Sequence, residues 1–241
     1  MNEAKNPRNI STPGEYYDAM ADKYIAAVDA KPHNANYERP AMLSLFPPLQ
    51  GLYILDAGCG SGWYASYFLE QGAARVTCLD ASSRMVAATR ARLGDRVTAF
   101  VADLSQPLDF AGNAAFDLIV SPLVLHYLAD LKAPFLEFQR ILKPGGRLVF
   151  SIHHPTMVFT GHELPDYYES TWIEEEWSVG KVGYYHHPLD AYCAALDAAG
   201  FVIERLLEPR PTEEFKALDP INYETLMHNP GFMCIRARRD R

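Results

Sequence analysis

Three glycines at alternating positions, Gly58, Gly60 and Gly62, follow the apolar run Tyr53-Ile54-Leu55 and the acid Asp56. Glycines at that spacing let a backbone turn tightly and approach a ligand closely. A helix starting directly afterwards offers its free N–H groups to the same ligand. Two further acids recur at the ends of later apolar runs: Asp80 closes Arg75–Asp80, and Asp103 follows Val97–Ala102. A carboxylate at Asp80 suits the two hydroxyls of a ribose, and one at Asp103 suits the exocyclic amine of a purine. In series, these acids would line the crevice at the carboxyl ends of successive strands, where open α/β sheets bind ligands. A dinucleotide fingerprint requires Gly-x-Gly-x-x-Gly, and Trp63 occupies the place of its last glycine. An indole there conflicts with the close helix–strand packing that this glycine permits.

Histidine usage marks a second region. Of eight histidines, five (His153, His154, His162, His186, His187) fall between Ser151 and Pro188, among Trp172, Trp177 and four tyrosines. Imidazole and aromatic groups concentrated beside a cleft are what small-molecule pockets use. His126, in contrast, reads equally as a hydrogen-bonded core residue. His186-His187 has no carboxylate at ligand spacing, so no metal site is expected. Glu174-Glu175-Glu176 reads first as a solvated face.

The elements that must position these groups are legible from the pattern. Strands are expected at Tyr53–Asp56, Arg75–Asp80, Val97–Ala102, Phe116–Ser121 and Arg147–His153, all short, apolar and without in/out alternation, as parallel strands covered on both faces read. Helices are expected near Trp63–Gln71, Ser82–Leu93 and Leu131–Leu142, the last stopped by Lys143-Pro144-Gly145-Gly146. Upstream, Thr12-Pro13-Gly14-Glu15 matches a capping box, and the helix it opens carries Tyr16, Tyr17, Met20 and Tyr24 on one face. A second helix is expected between Ala35 and Phe46, and residues 1–11 read as a polar tail. After Ile152 the rhythm breaks for some 35 residues, a long excursion for a compact domain that reads as functional or flexible. It resumes with helix Pro188–Ala199, strand Phe201–Leu207, a short helix from Asp219-Pro220 and strand Phe232–Ala237.

Bulk properties exclude several classes. A 241-residue chain with 49 % hydrophobic and 22 % charged residues is ordinary for a globular protein. No apolar run approaches the roughly 18 to 20 residues of a membrane span. The N-terminus lacks a secretory core, so a cytoplasmic location is expected. The net charge of −8, with no basic run before the last residues, argues against a nucleic-acid substrate. The four scattered cysteines suit reduced thiols rather than a disulfide framework or zinc.

The combination Leu55-Asp56-Ala57-Gly58-Cys59-Gly60-Ser61-Gly62, Asp80-Ala81-Ser82-Ser83-Arg84-Met85, Ala102-Asp103-Leu104, Phe116-Asp117-Leu118-Ile119-Val120 and Leu142-Lys143-Pro144-Gly145-Gly146 resembles the class I S-adenosylmethionine-dependent methyltransferases. The resemblance implies a Rossmann-like α/β fold: a seven-stranded, mostly parallel sheet of order 3-2-1-4-5-7-6, its last strand antiparallel, with helices on both faces. With no internal repeat or linker, one domain is expected over 1–241, with an N-terminal helical cover over 12–48, and the histidine- and aromatic-rich stretch 153–187 is expected to build the acceptor pocket. The resemblance implies that Asp56 and the Gly58–Gly62 turn hold the methionine part of S-adenosylmethionine, that Asp80 with Ala81 takes the ribose, and that Met85, Ala102, Asp103 and Leu104 take the adenine. Ser121 would offer a backbone carbonyl to the methionine amino group, and Tyr16, Tyr17 and Tyr24 would cover the cofactor. The expected reaction is in-line methyl transfer to a small molecule, leaving S-adenosylhomocysteine, with His153 or His154 nearest the methyl. Methylation of RNA or protein, and a non-enzymatic role, stand as alternatives.

Overall fold

The computed structural model describes residues 12–178 and 180–240, so the expected polar tail at 1–11 lies outside them. In chain order the elements are α1 (Pro13–Val28), a π-helical turn (Asn34–Glu38), α2 (Arg39–Leu45), β1 (Tyr53–Ala57), α3 (Trp63–Glu70), β2 (Arg75–Asp80), α4 (Ser83–Leu93), β3 (Thr98–Val101) and β4 (Phe116–Pro122). There follow α5 (Lys132–Ile141), β5 (Leu142–His153), α6 (Pro155–Gly161), β6 (Thr171–Trp177), β7 (Gly180–His186), α7 (Leu189–Ala198), β8 (Phe201–Leu207), α8 (Glu213–Leu218), α9 (Pro220–His228) and β9 (Phe232–Arg239).

Seven strands form one sheet in the order β3-β2-β1-β4-β5-β9-β8. Pairs from β3 to β5 are parallel, whereas β9 runs antiparallel to both β5 and β8. This is the expected order once the two strands of an inserted hairpin are counted. Adjacent residues of the central strands face opposite cores. Ile54, Leu118 and Val149 pack with α2, α3 and α4, while Leu55, Ile119 and Phe150 pack with α5 and α7. Apolar cover on both faces is why these strands read as unbroken hydrophobic runs. The strand order reverses between β1 and β4, and the crevice at their carboxyl ends is the site that topology creates.

Three local departures from the sequence expectation have physical causes. The Lys143-Pro144-Gly145-Gly146 stop is a bulge inside β5, whose pairing with β4 jumps from Phe116↔Leu142 to Leu118↔Arg147. The excursion after Ile152 is α6 followed by the antiparallel β6–β7 hairpin. Three consecutive acids in Trp172-Ile-Glu-Glu-Glu-Trp177 hide that strand from any apolar/polar alternation. Finally, α8 lies within the stretch read as connection. Among the described residues no helix is long and apolar enough to cross a membrane.

Candidate functional site

The glycine turn is held to the sheet by Gly58 N–H and Cys59 N–H, which donate to the Leu79 carbonyl at 2.8 and 2.9 Å. Gly58 has φ +88°, and a Cβ there would stand 2.1 Å from a methyl of Val124. Gly60 has φ +52°, and a Cβ there would meet nothing within 4 Å. The first glycine is therefore required by packing, and the second leaves bare backbone facing a cavity of about 670 Å³.

Asp80 organises the wall beside it. One carboxylate oxygen accepts from Gly60 N–H and the other from Ser82 N–H, each at 2.9 Å. Burial pushes its carboxyl up to about 6 against the pull of those two donors. Asp103 accepts from Ser105 N–H at 2.8 Å at the end of β3. Ala81, Met85, Ala102 and Leu104 line the same cavity.

Helix α1 forms the cover. Its capping box is present, with Glu15 N–H donating to the Thr12 hydroxyl and the Glu15 carboxylate accepting from Thr12 N–H. Gly14 allows the helix to lie on the β2–α4 loop, since a Cβ there would be 2.6 Å from the Ala81 carbonyl oxygen. Asp18 then accepts from the Ser82 hydroxyl (2.5 Å), the Ser83 hydroxyl (3.2 Å) and Arg84 N–H (3.1 Å), tying the cover to the start of α4. On its inner side Tyr17 meets Tyr127 hydroxyl to hydroxyl at 2.8 Å and Tyr24 edge to face. Replacing Asp18 by Ala should speed amide exchange across α1 by roughly tenfold while leaving β1 unchanged, as read by hydrogen-exchange mass spectrometry.

The structure gathers Tyr17, Tyr24, Gly58, Gly60, Asp80, Ala81, Met85, Ala102, Asp103, Leu104 and His153 on the cavity wall. It places the other expected residues behind or beside that wall. Tyr16 donates to Glu174 on β6, Gly62 backs onto Thr89 and Leu93 of α4, and the Ser121 hydroxyl donates to the Ala57 carbonyl. Asp56 is fully buried, with neither oxygen hydrogen-bonded among the described residues.

His153 and His154 are separated by the alternation of β5. The His153 ring stacks on His126 at 4.2 Å and on Phe232 at 5.8 Å, with Tyr184 edge-on at 4.9 Å. Its Nδ1 is buried without a partner among the described residues, and the residue lines the cavity. Burial lowers its pKa to about 4, with Glu175 pulling the other way. His154 is instead the N-cap of α6: its Nδ1 accepts from Thr156 N–H, and its Nε2 meets Glu208 at 2.9 Å. Placing His154 near a reacting group is thus corrected, since both of its nitrogens are engaged outside the cavity. The insertion's other histidines serve the scaffold: His162 meets Glu175 and Tyr184, His186 the Tyr167 carbonyl, and His187 the Leu128 carbonyl and Ser170.

Four charged or basic wall residues were not singled out from the sequence. Glu38 and Arg39 enter from the π-helical turn and α2. Glu38 accepts from Ser151 and Tyr64 hydroxyls at 2.6 and 2.8 Å, and burial raises its pKa against both. The Arg39 guanidinium lies 4.2 Å over the Trp63 ring and donates to the Val28 and Asp29 carbonyls. Lys31 and His33 enter from the loop after α1. The one sequence signal for the first pair is a Glu-Arg doublet inside a helix otherwise buried through Tyr37, Met42 and Leu45.

The family model described as "Methyltransferase domain" matches residues 55–150. The solved S-adenosylmethionine dependent methyltransferase from Mesorhizobium loti is 30 % identical, with 84 % of this chain and 97 % of that chain covered at a TM-score of 0.70. An uncharacterized protein of Haemophilus influenzae is 26 % identical over 227 residues, covering 86 % of this chain and 88 % of its own length. The malonyl-[acyl-carrier protein] O-methyltransferase of Erwinia billingiae is 36 % identical over 106 residues, 42 % of this chain and 39 % of that enzyme. The present chain thus matches well under half the length of that last relative.

Proposed function

The chain belongs to the class I S-adenosylmethionine-dependent methyltransferases, and from that premise we propose that it methylates a small molecule held between the glycine turn and the 153–187 insertion. The observation that carries this reading is the continuity of the cavity. One chamber of about 670 Å³ is lined both by Gly60, Asp80 and Asp103 and by His153, Glu175, Trp177 and Tyr184. That volume lies within the range of small-molecule sites, and α1 covers it.

The donor end fits the cofactor on its own chemistry. Bare backbone at Gly60 opens on the cavity, beside a carboxylate already fixed by two backbone N–H groups. Asp80 would accept the ribose hydroxyls, and Asp103 with the Leu104 N–H would take the adenine edge between Ala81, Met85 and Ala102. The amino-acid tail would lie along Gly58–Gly60, with Arg39 as the neighbouring cation. Tyr17 and Tyr24 would close the cover over it. Asp56, Gly62, Ser121 and Tyr16 would act through the residues they support.

The cofactor's sulfonium supplies an already activated methyl. What remains for the protein is to align the acceptor in line with it and exclude water, and alignment alone supplies several kcal/mol. His153 Nε2 would orient the acceptor by accepting a hydrogen bond from it. With its pKa near 4, the ring is neutral at pH 7 and holds a transferred proton poorly, so orientation is its main service.

The test is radiolabelled transfer from S-adenosylmethionine into a fractionated metabolite extract. Label is expected in the low-molecular-weight filtrate. His153→Ala should cut that turnover by about tenfold or more, while affinity for S-adenosylhomocysteine by calorimetry stays within about twofold. Label retained on protein would favour a carrier-bound acceptor of the kind named for the Erwinia relative, and label on RNA would favour the nucleic-acid alternative.

A further inference from the structure

Among the described residues two long-chain cations line the cavity, and each lies over a different aromatic ring. Arg39 lies against Trp63, at the start of α3 beside the glycine turn. Lys31 lies against the insertion, its ammonium 5.4 Å from the Trp177 ring centroid. Arg39 has Asp29 within ion-pair reach, but no described acid stands within ion-pair distance of the Lys31 ammonium. Two acids of the cavity wall, Glu175 and Glu38, are committed elsewhere. Glu175 meets His162 and accepts from the Trp177 indole N–H, and Glu38 accepts from Ser151 and Tyr64.

Two more nitrogen-bearing side chains lie near Lys31. The His153 ring centroid lies 6.1 Å from that of Trp177, the ring that carries the Lys31 ammonium, and His33 follows Lys31 by two residues on the same wall. Burial first, and the Lys31 charge after it, lowers the pKa of both histidines, and burial lowers that of Lys31 itself. A half-buried cation without a counterion costs free energy unless water or a ligand compensates it. The cofactor brings a single carboxylate, and Arg39 stands where its amino-acid tail is placed in the reading above. Lys31 has no remaining duty toward the donor.

We propose, resting on that reading, that the methyl acceptor carries an anionic group, a carboxylate or a phosphate, held by Lys31 with His33 on the cavity wall near Trp177, while His153 keeps its hydrogen-bond-accepting role. The aromatic wall of Trp177, Tyr184 and Phe232 takes the adjoining apolar part of the acceptor. Specificity then comes from one charge and one apolar wall. A neutral isostere of the acceptor leaves the Lys31 ammonium desolvated and unpaired.

The experiment uses the full chain loaded with S-adenosylhomocysteine. Octanoate, benzoate and phenyl phosphate are titrated against their neutral counterparts octanamide, benzamide and phenol, with dissociation constants from ligand-observed NMR. At least one anion should bind about tenfold tighter than its neutral partner, and which anion does so separates carboxylate from phosphate. Lys31→Met should erase that preference and Lys31→Arg should keep it, both with S-adenosylhomocysteine affinity within about twofold of wild type. The proposal is overturned if no anion is preferred, or if the preference survives Lys31→Met. It is also overturned if Lys31→Met weakens S-adenosylhomocysteine instead, which would assign Lys31 to the cofactor's carboxylate. A wild-type protein that fails to bind S-adenosylhomocysteine at the first step overturns the donor-site reading itself.

Discussion

Asp80→Ala should weaken S-adenosylhomocysteine binding by at least about a hundredfold, measured by calorimetry at neutral pH. Two losses add. The ribose hydroxyls lose an ionised acceptor, and hydrogen bonds to charged groups are worth about 1.5–3 kcal/mol. Gly60 N–H and Ser82 N–H also lose the carboxylate that now accepts from both, and with it the shape of the turn and the approach to α4. Asp80→Asn should fall between: its single carbonyl oxygen can satisfy one of those donors, while its amide N–H₂ opposes the other. The pH dependence gives an independent reading of the same group. Burial holds the Asp80 carboxyl near 6, so affinity should decline as pH falls through about 6, and that decline should vanish in Asp80→Asn. Near-wild-type affinity in Asp80→Ala, with α1 and the sheet intact by hydrogen exchange, would move the cofactor out of this crevice.

The donor end was legible because its signals are backbone signals. Gly58 must adopt positive φ and sit against Val124, Asp80 must end a strand, and each leaves a residue type at a fixed place in the chain. The parallel strands were legible because two cores demand unbroken apolar runs. The acceptor end depends on long-range placement, which spacing does not encode. Nothing local sets Lys31 against Trp177, about 150 residues away in the chain, or brings Glu38 to Ser151. His153 and His154 were separable in principle, because adjacent strand residues face opposite sides and His-Pro-Thr after a strand can cap a helix. The Glu174-Glu175-Glu176 run concealed β6 because its acids are divided between roles: Glu174 pairs with Lys181 across the hairpin, while Glu175 turns inward to His162 and Trp177.

The second large effect concerns Asp56, which lies at the end of β1 directly before the glycine turn. It is fully buried, and neither oxygen has a hydrogen-bond partner among the described residues. Desolvation, and after it the charge of Asp80, push its carboxyl up to about 8, with the Ala65 N–H at the start of α3 opposing weakly. At pH 7 the pair therefore carries its charge on Asp80, at the cavity wall, and keeps Asp56 protonated behind it. The folded state holds a proton that the unfolded chain has released. The stability this contributes is full below about pH 4 and is lost as pH rises toward about 8, a span on the order of 5 kcal/mol. His126 and His153 act in the opposite sense: burial lowers both, so they cost stability as the unfolded imidazole charges below about pH 6.5. The difference between Asp56→Asn and wild type cancels those histidines. That difference should grow in favour of the variant from pH 5 upward and level off above about 8, reaching several kcal/mol in urea unfolding without ligand. In an Asp80→Asn background its midpoint should move to lower pH, because the neighbouring charge is gone. A difference that stays flat from pH 5 to above 8 would mean that Asp56 is ionised and paired in the folded protein, and the carboxyl–carboxylate arrangement behind the glycine turn would fall with it.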